Sequence, residues 1–113
     1  MTNDELNEAI ALAKGWTKKH GRMDKASLRE HDYWINADGR KWMCPDEWST
    51  DIAAAMKLAD EFPEWSAGRY PSGYKFHGFD YINGEIHNAS EQFGITFEIA
   101  ICLAYLAWKA AQS

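Results

Sequence analysis

The stretch Phe76 to Phe93, "FHGFDYINGEIHNASEQF", places an Asn-Gly pair between two runs of aromatic and β-branched residues. A two-residue hairpin turn of the type that matches strand twist needs positive φ at both central positions, which Asn and Gly adopt at least cost. The spacing therefore predicts strands over 76–82 and 85–93, with Asp80 opposite His87 and Tyr81 opposite Ile86. A second stretch, "YWINADGRKWMC" (Tyr33 to Cys44), repeats the pattern around Asp38-Gly39. Its two-residue turn sets Ala37 against Arg40, Ile35 against Trp42 and Tyr33 against Cys44 on one side. Asn36 and Lys41, and Trp34 and Met43, pair on the other. The first side is expected to face the core, and the second is mixed.

Helical periodicity frames both hairpins. From Thr2 to Ala13, Leu6, Ala9, Ile10 and Ala13 recur on one stripe, and Asp4, Glu5 and Glu8 place negative charge where the helix dipole favours it. Gly15 ends this helix, and Trp16 can fold back on it. In "WSTDIAAAM" (Trp48 to Met56), Ser49 or Thr50 is expected as the N-cap with Asp51 in the first turn. Ile52, Ala55, Met56, Ala59 and Phe62 form its apolar stripe until Pro63 stops the helix. The closing "ITFEIAICLAYLAWKAA" is apolar nearly all round, which places it centrally or at an interface between copies. Lys14 to Glu30 reads as loop with a short helical turn near Asp24 to Arg29. The segment Ser66 to Lys75, dense in Gly, Ser and Pro, also reads as loop.

The order helix, hairpin, helix, hairpin, helix predicts an α+β fold, a small antiparallel sheet of two β-hairpins packed with three helices. With 113 residues it is a single domain, 1–113.

Charge narrows the partners. A formal net charge of −5 argues against polymeric nucleic acid, whose binders neutralise many phosphates. Between Lys14 and Glu30, however, six basic residues face two acids, a pattern that serves either as a solvated face or as a seat for a small anion. Two cysteines and an N-terminus without a basic, apolar leader are expected of a cytosolic chain with free thiols. No apolar run reaches the roughly 20 residues a membrane span needs, so no membrane partner is expected.

No reaction is spelled out. Asp80 and His87, with Glu85 and Glu91 on the same predicted ribbon face, form at most a weak metal or acid-base motif, because metal-ligand spacing of the His-x-x-x-His or Cys-x-x-Cys kind is lacking. Ser49 has no nucleophile elbow, and Cys44 before Pro45 has no neighbouring base. Binding chemistry is better represented. A nucleotide needs a flat apolar surface for its base and cationic or N–H donors for phosphate. Trp34, Arg40 and Lys41, with Trp42, flank the first turn. Arg69, Tyr70, Tyr74 and Lys75 fill the second loop, and Ser49 and Thr50 stand at a helix start. Trp42 is expected in the core.

Three segments together resemble the phage ABA sandwich domain family, small proteins of bacteriophages and prophages: Gly15-Trp16 after the first helix, "WSTDIAAAM", and "AICLAYLAWKAA" (Ala100 to Ala111). The resemblance implies a phage protein acting in the host bacterial cytoplasm, and it carries no catalytic residues. The resulting expectation is a non-enzymatic anti-defence protein, without cofactor or metal. It would bind and sequester a cyclic nucleotide immune signal of the cyclic dinucleotide, cyclic oligonucleotide or cyclic ADP-ribose type, enclosed by a homodimer. The alternatives are an acidic protein-binding inhibitor of a host factor and a phosphodiesterase degrading the same signals.

Overall fold

In a computed structural model, which describes residues 1–112, the first helix, α1 (Asn3–Ala13), starts with a reciprocal cap. The Thr2 side chain accepts from the Glu5 N–H, and the Glu5 carboxylate accepts from the Thr2 N–H. This satisfies two of the donors a helix start leaves free. Gly15, at φ +87°, reverses the chain so that the Trp16 N–H reaches the Ala11 carbonyl at 2.9 Å. Trp16 is thereby returned to the core, where its ring meets Trp48 edge-on at 5.7 Å.

A first antiparallel sheet follows, β1 (Thr17–Gly21), β2 (His31–Ile35) and β3 (Lys41–Trp42), in the order β1-β2-β3. After α2 (Ile52–Ala59) comes a meander of β4 (Glu64–Tyr70), β5 (Gly73–Ile82) and β6 (Glu85–Gly94), and the described chain closes with α3 (Phe97–Ala111). The fold is α+β. Each expected hairpin, however, has acquired a third strand and stands in a sheet of its own. The molecule is a slab of 51 × 37 × 20 Å, and its thin dimension is that of one helix layer on one sheet layer.

α3 occupies the centre, packed against β5, β6, α1 and α2, with Ala100, Ile101, Cys102, Ala104, Tyr105 and Trp108 buried. Two glycines let this packing be close. A Cβ on Gly94 would lie 2.5 Å from the Ala100 backbone nitrogen, and one on Gly78 would lie 2.4 Å from the Phe62 ring. Phe62 in turn stacks on Trp108 at 4.2 Å and meets Phe76 at 5.4 Å. The sheet face that carries Trp65, Phe76 and Tyr74 is therefore the inner one.

The Asn83-Gly84 hairpin forms as its sequence predicts, with φ of +53° and +81°, Asp80 opposite His87 and Tyr81 opposite Ile86. The Asp38-Gly39 hairpin does not keep its predicted register. Trp34 pairs with Trp42 and Ile35 with Lys41, around a three-residue loop in which the Gly39 N–H donates to the Asn36 carbonyl and Gly39 takes φ +83°. The Asn36 side chain holds this wider loop by accepting from the Asp38 and Arg40 N–H groups. The one-residue slip sets Trp42 on the face of Trp34 instead of that of Ile35; Trp34, on the central strand, is the core residue at 3% exposure, whereas Trp42, expected inside, lies on the two-residue edge strand and is 45% exposed.

Three further local expectations are revised. The N-cap of α2 is Asp51, which accepts from the Ala53 and Ala54 N–H groups, because Ser49 is drawn into the core beneath α1. Lys14 to Glu30 contains β1, paired along its length with β2, and Asp24 caps a turn rather than a helix. Ser66 to Lys75 is the β4-β5 hairpin, with only Pro71 and Ser72 outside the strands. Cross-strand pairing and burial of Trp65 override the turn-forming composition.

Candidate functional site

Strand alternation sorts the candidate residues. In the second sheet Gly68, Lys75 and Phe93 form one row across β4, β5 and β6, and Arg69, Tyr74 and Gly94 form the next, on the opposite face. Tyr70 and Lys75 therefore share the outer face, while Arg69 and Tyr74 belong to the inner one. Tyr74 packs against Phe97 at 6.0 Å and is half-buried; Arg69 is exposed on the same side.

The outer face has no helix over it. Tyr70 and Phe93 are each about half exposed, at 48% and 47%, with ring centroids 6.0 Å apart. Gly68 makes room for this arrangement, since a Cβ there would sit 3.1 Å from the Tyr70 ring. Lys75 stands on β5, the strand between theirs, and pairs with Glu91, which raises the lysine's pKa and lowers the carboxylate's through their mutual hydrogen bond. The residues bound a concavity of about 400 Å³ that also includes Gln92. Beside it, His77 Nε2 is 2.9 Å from the Asn88 side-chain oxygen and 3.9 Å from Glu91. Phe93 had no separate signal in the sequence, because a three-strand row is defined only by pairing, and Glu91 was expected instead beside Asp80 and His87.

The other candidates are dispersed. Trp34 is buried, with the Lys18 ammonium 5.7 Å above its ring. Lys41 points to the opposite face of the first sheet, donating to the Met23 carbonyl at 2.8 Å and lying over Tyr33. Arg40 is exposed at the turn, and Thr50 is exposed before Asp51. Ser49 is buried, its N–H donating to Asn7 Oδ1 at 2.9 Å, so it fastens α2 to α1 and has no face for a ligand.

The Asp80 and His87 pair is split by its surroundings. Asp80 accepts from the Trp108 indole at 3.4 Å and from the Tyr81 N–H, whereas His87 approaches Glu85 at 3.8 Å. A bulge between Gly78 and Phe79 also shifts the register, so Glu91 emerges on the face opposite Glu85 and His87. The four residues do not converge. Among the described residues there is no group of three or more His, Cys, Asp or Glu arranged to hold a metal ion.

Of the thiols, Cys44 is exposed and Cys102 is buried on the inner side of α3, where burial pushes its pKa up to about 12. A thiol so placed is a packing group rather than a nucleophile. No helix among the described residues is long and apolar enough to cross a membrane. No protein-family model, curated protein or solved structure matches the chain.

Proposed function

We propose that the protein is a phage-type capture protein that binds a cyclic nucleotide signal without cleaving it, using the outer face of the β4-β5-β6 sheet. The supporting observation is the Tyr70, Lys75 and Phe93 constellation: two half-exposed rings in contact line one concavity with a lysine, on a face that no described helix covers. A base stacks on an aromatic ring whatever its identity, and a phosphate takes the ammonium donors that Glu91 leaves free. Resemblance of the helix-start and final-helix motifs to the phage ABA sandwich family supports the biological setting. The open concavity would be closed by a second copy laid over the same face, which gives the expected homodimer its role.

The test is incubation with a panel of cyclic dinucleotides, cyclic trinucleotides and cyclic ADP-ribose isomers, removal of free ligand, heating, and mass analysis of what is released. Intact ligand supports capture. Cleaved product replaces it with a phosphodiesterase, and no uptake refutes both. Tyr70→Ala and Lys75→Ala should each lower uptake at least tenfold with little change in melting temperature, whereas Arg69→Ala, on the other face, should leave uptake unchanged.

A further inference from the structure

The outer face of the second sheet runs on well past the concavity. Along β5 the alternation keeps Lys75, His77, Phe79 and Tyr81 on that side, with Ile86 of β6 opposite Tyr81 and Glu64 of β4 opposite Phe79. Side-chain contacts agree. The His77 and Phe79 rings lie 4.2 Å apart, and the Tyr81 hydroxyl donates to the Glu64 carboxylate at 2.5 Å. The face therefore has two unlike ends, about 20 Å apart along β5. Tyr70, Lys75 and Phe93 occupy one, and Tyr81, Ile86 and Glu64 the other.

Exposed apolar area distinguishes this face from a solvated one. Tyr70, Tyr81, Phe93 and Ile86 are each between 47% and 50% exposed. Half of an aromatic side chain is on the order of 100 Å², so the three rings leave about 300 Å² in water before Ile86 is counted. Apolar area of that order on one face marks a contact surface. A twofold interface buries it on both copies, about 600 Å² from the rings alone. Ile86, and Phe79 and His77 between the ends, bring the total to the roughly 1,000 Å² that a specific interface needs.

Charge selects the orientation. Glu64 has no cationic partner among the described residues, and the face's one lysine, Lys75, stands at the opposite end. A second copy turned about a twofold axis that crosses the strands near Gly78 sets its Tyr81 and Glu64 over Lys75, and its Ile86 over Phe93. A twofold running along the strands would instead lay Lys75 on Lys75, like charge on like.

We propose that two copies pack face to face in this antiparallel sense, so that Tyr81 and Ile86 of each copy roof the Tyr70, Lys75 and Phe93 concavity of the other. The packing rests on the apolar face, and the use made of it rests on the capture reading. Each site is incomplete in a single chain, and the dimer holds two.

Sedimentation equilibrium of the full chain should give a dimer. Ile86→Asp, which puts a carboxylate where the single chain is open to water, should give a monomer with unchanged far-ultraviolet circular dichroism, and Tyr81→Ala should weaken the dimer at least tenfold. Cross-linking reads the orientation without any ligand. In a Cys44→Ser background, which removes the exposed thiol, Ile86→Cys chains mixed with Phe93→Cys chains should be joined by a bis-maleimide of about 10 Å span, the spacing of packed sheets. Neither variant alone should be joined to itself. Ile86→Asp should also take up at least tenfold less of the cyclic nucleotides in the capture panel, although its own Tyr70, Lys75 and Phe93 are intact. A monomeric full chain, or self-joining of either cysteine variant without the mixed product, overturns the packing. Undiminished uptake by monomeric Ile86→Asp overturns the shared site and leaves capture standing. A dimer joined between positions 86 and 93 that takes up no ligand upholds the packing and refutes capture.

Discussion

Alanine at Gly94 should drive α3 off the second sheet. The added Cβ would stand 2.5 Å from the Ala100 nitrogen, 2.9 Å from its Cα and 3.0 Å from the Ile99 carbonyl carbon. Ordinary carbon contacts lie near 3.5–4.0 Å, so a relief of about 1 Å is required. All three atoms are helix backbone and cannot rotate away as a side chain tip would. The helix must move as a body, loosening Ala100, Ile101 and Ala104, which are fully buried. Overpacking of this kind costs about 1–3 kcal/mol, and a rigid neighbour puts Gly94→Ala near the upper end, about 3 kcal/mol. Gly84→Ala is the comparator: φ is +81° there, with nothing within 4 Å, so only the left-handed backbone is penalised, by about 1–2 kcal/mol. Urea denaturation followed by far-ultraviolet circular dichroism and tryptophan fluorescence reads both, at unchanged m-value. A loss for Gly94→Ala no greater than for Gly84→Ala would refute the close-approach argument.

The cap assignment predicts that Asp51→Ala lowers stability by about 1 kcal/mol and Thr50→Ala by less than about 0.5 kcal/mol, measured by the same denaturation. Asn7→Ala strands the buried Ser49 N–H and should cost about 1–3 kcal/mol, more than either, with the loss seen as a lower urea midpoint. Alkaline stability should follow the buried thiol. Because the folded pKa of Cys102 is raised from about 9 to about 12, its contribution is full below pH 9 and is lost as pH rises toward 12. The slope from this one proton is at most about 1.4 kcal/mol per pH unit. Tyr105, raised by burial and by Glu61, acts in the same direction. Urea midpoints between pH 8 and 11 should fall, and Cys102→Ala should flatten the curve whatever its effect on absolute stability.

The elements legible in the sequence are those with local causes. Asn83-Gly84 sets its own turn, the acids after Thr2 favour the start of α1, Gly15 ends it, and the apolar circumference of Phe97 to Trp108 marks a central helix. Where partners are distant in sequence, the reading fails in definite ways. β1 is visible only through its pairing with β2, because Thr17 to Gly21 lacks an apolar alternation of its own. β4 was masked by turn-forming residues that a neighbouring strand and the burial of Trp65 hold extended. The cap of α2 fell to Asp51 because Ser49 was claimed by Asn7, forty-two residues away.

By itself the sequence determined the class of fold, its helix and turn order, and the kinds of chemistry available: aromatic rings, a few cations, and an excess of carboxylate. Tertiary structure decided which of these meet. Two-residue alternation placed Tyr70 with Lys75 and away from Arg69, a single bulge separated Glu91 from His87, and a three-residue turn paired Trp42 with Trp34 and left it exposed on the edge strand. Each outcome turns on a register shift of one residue, which costs little locally and is set by the packing of whole faces, so only the folded chain fixes it.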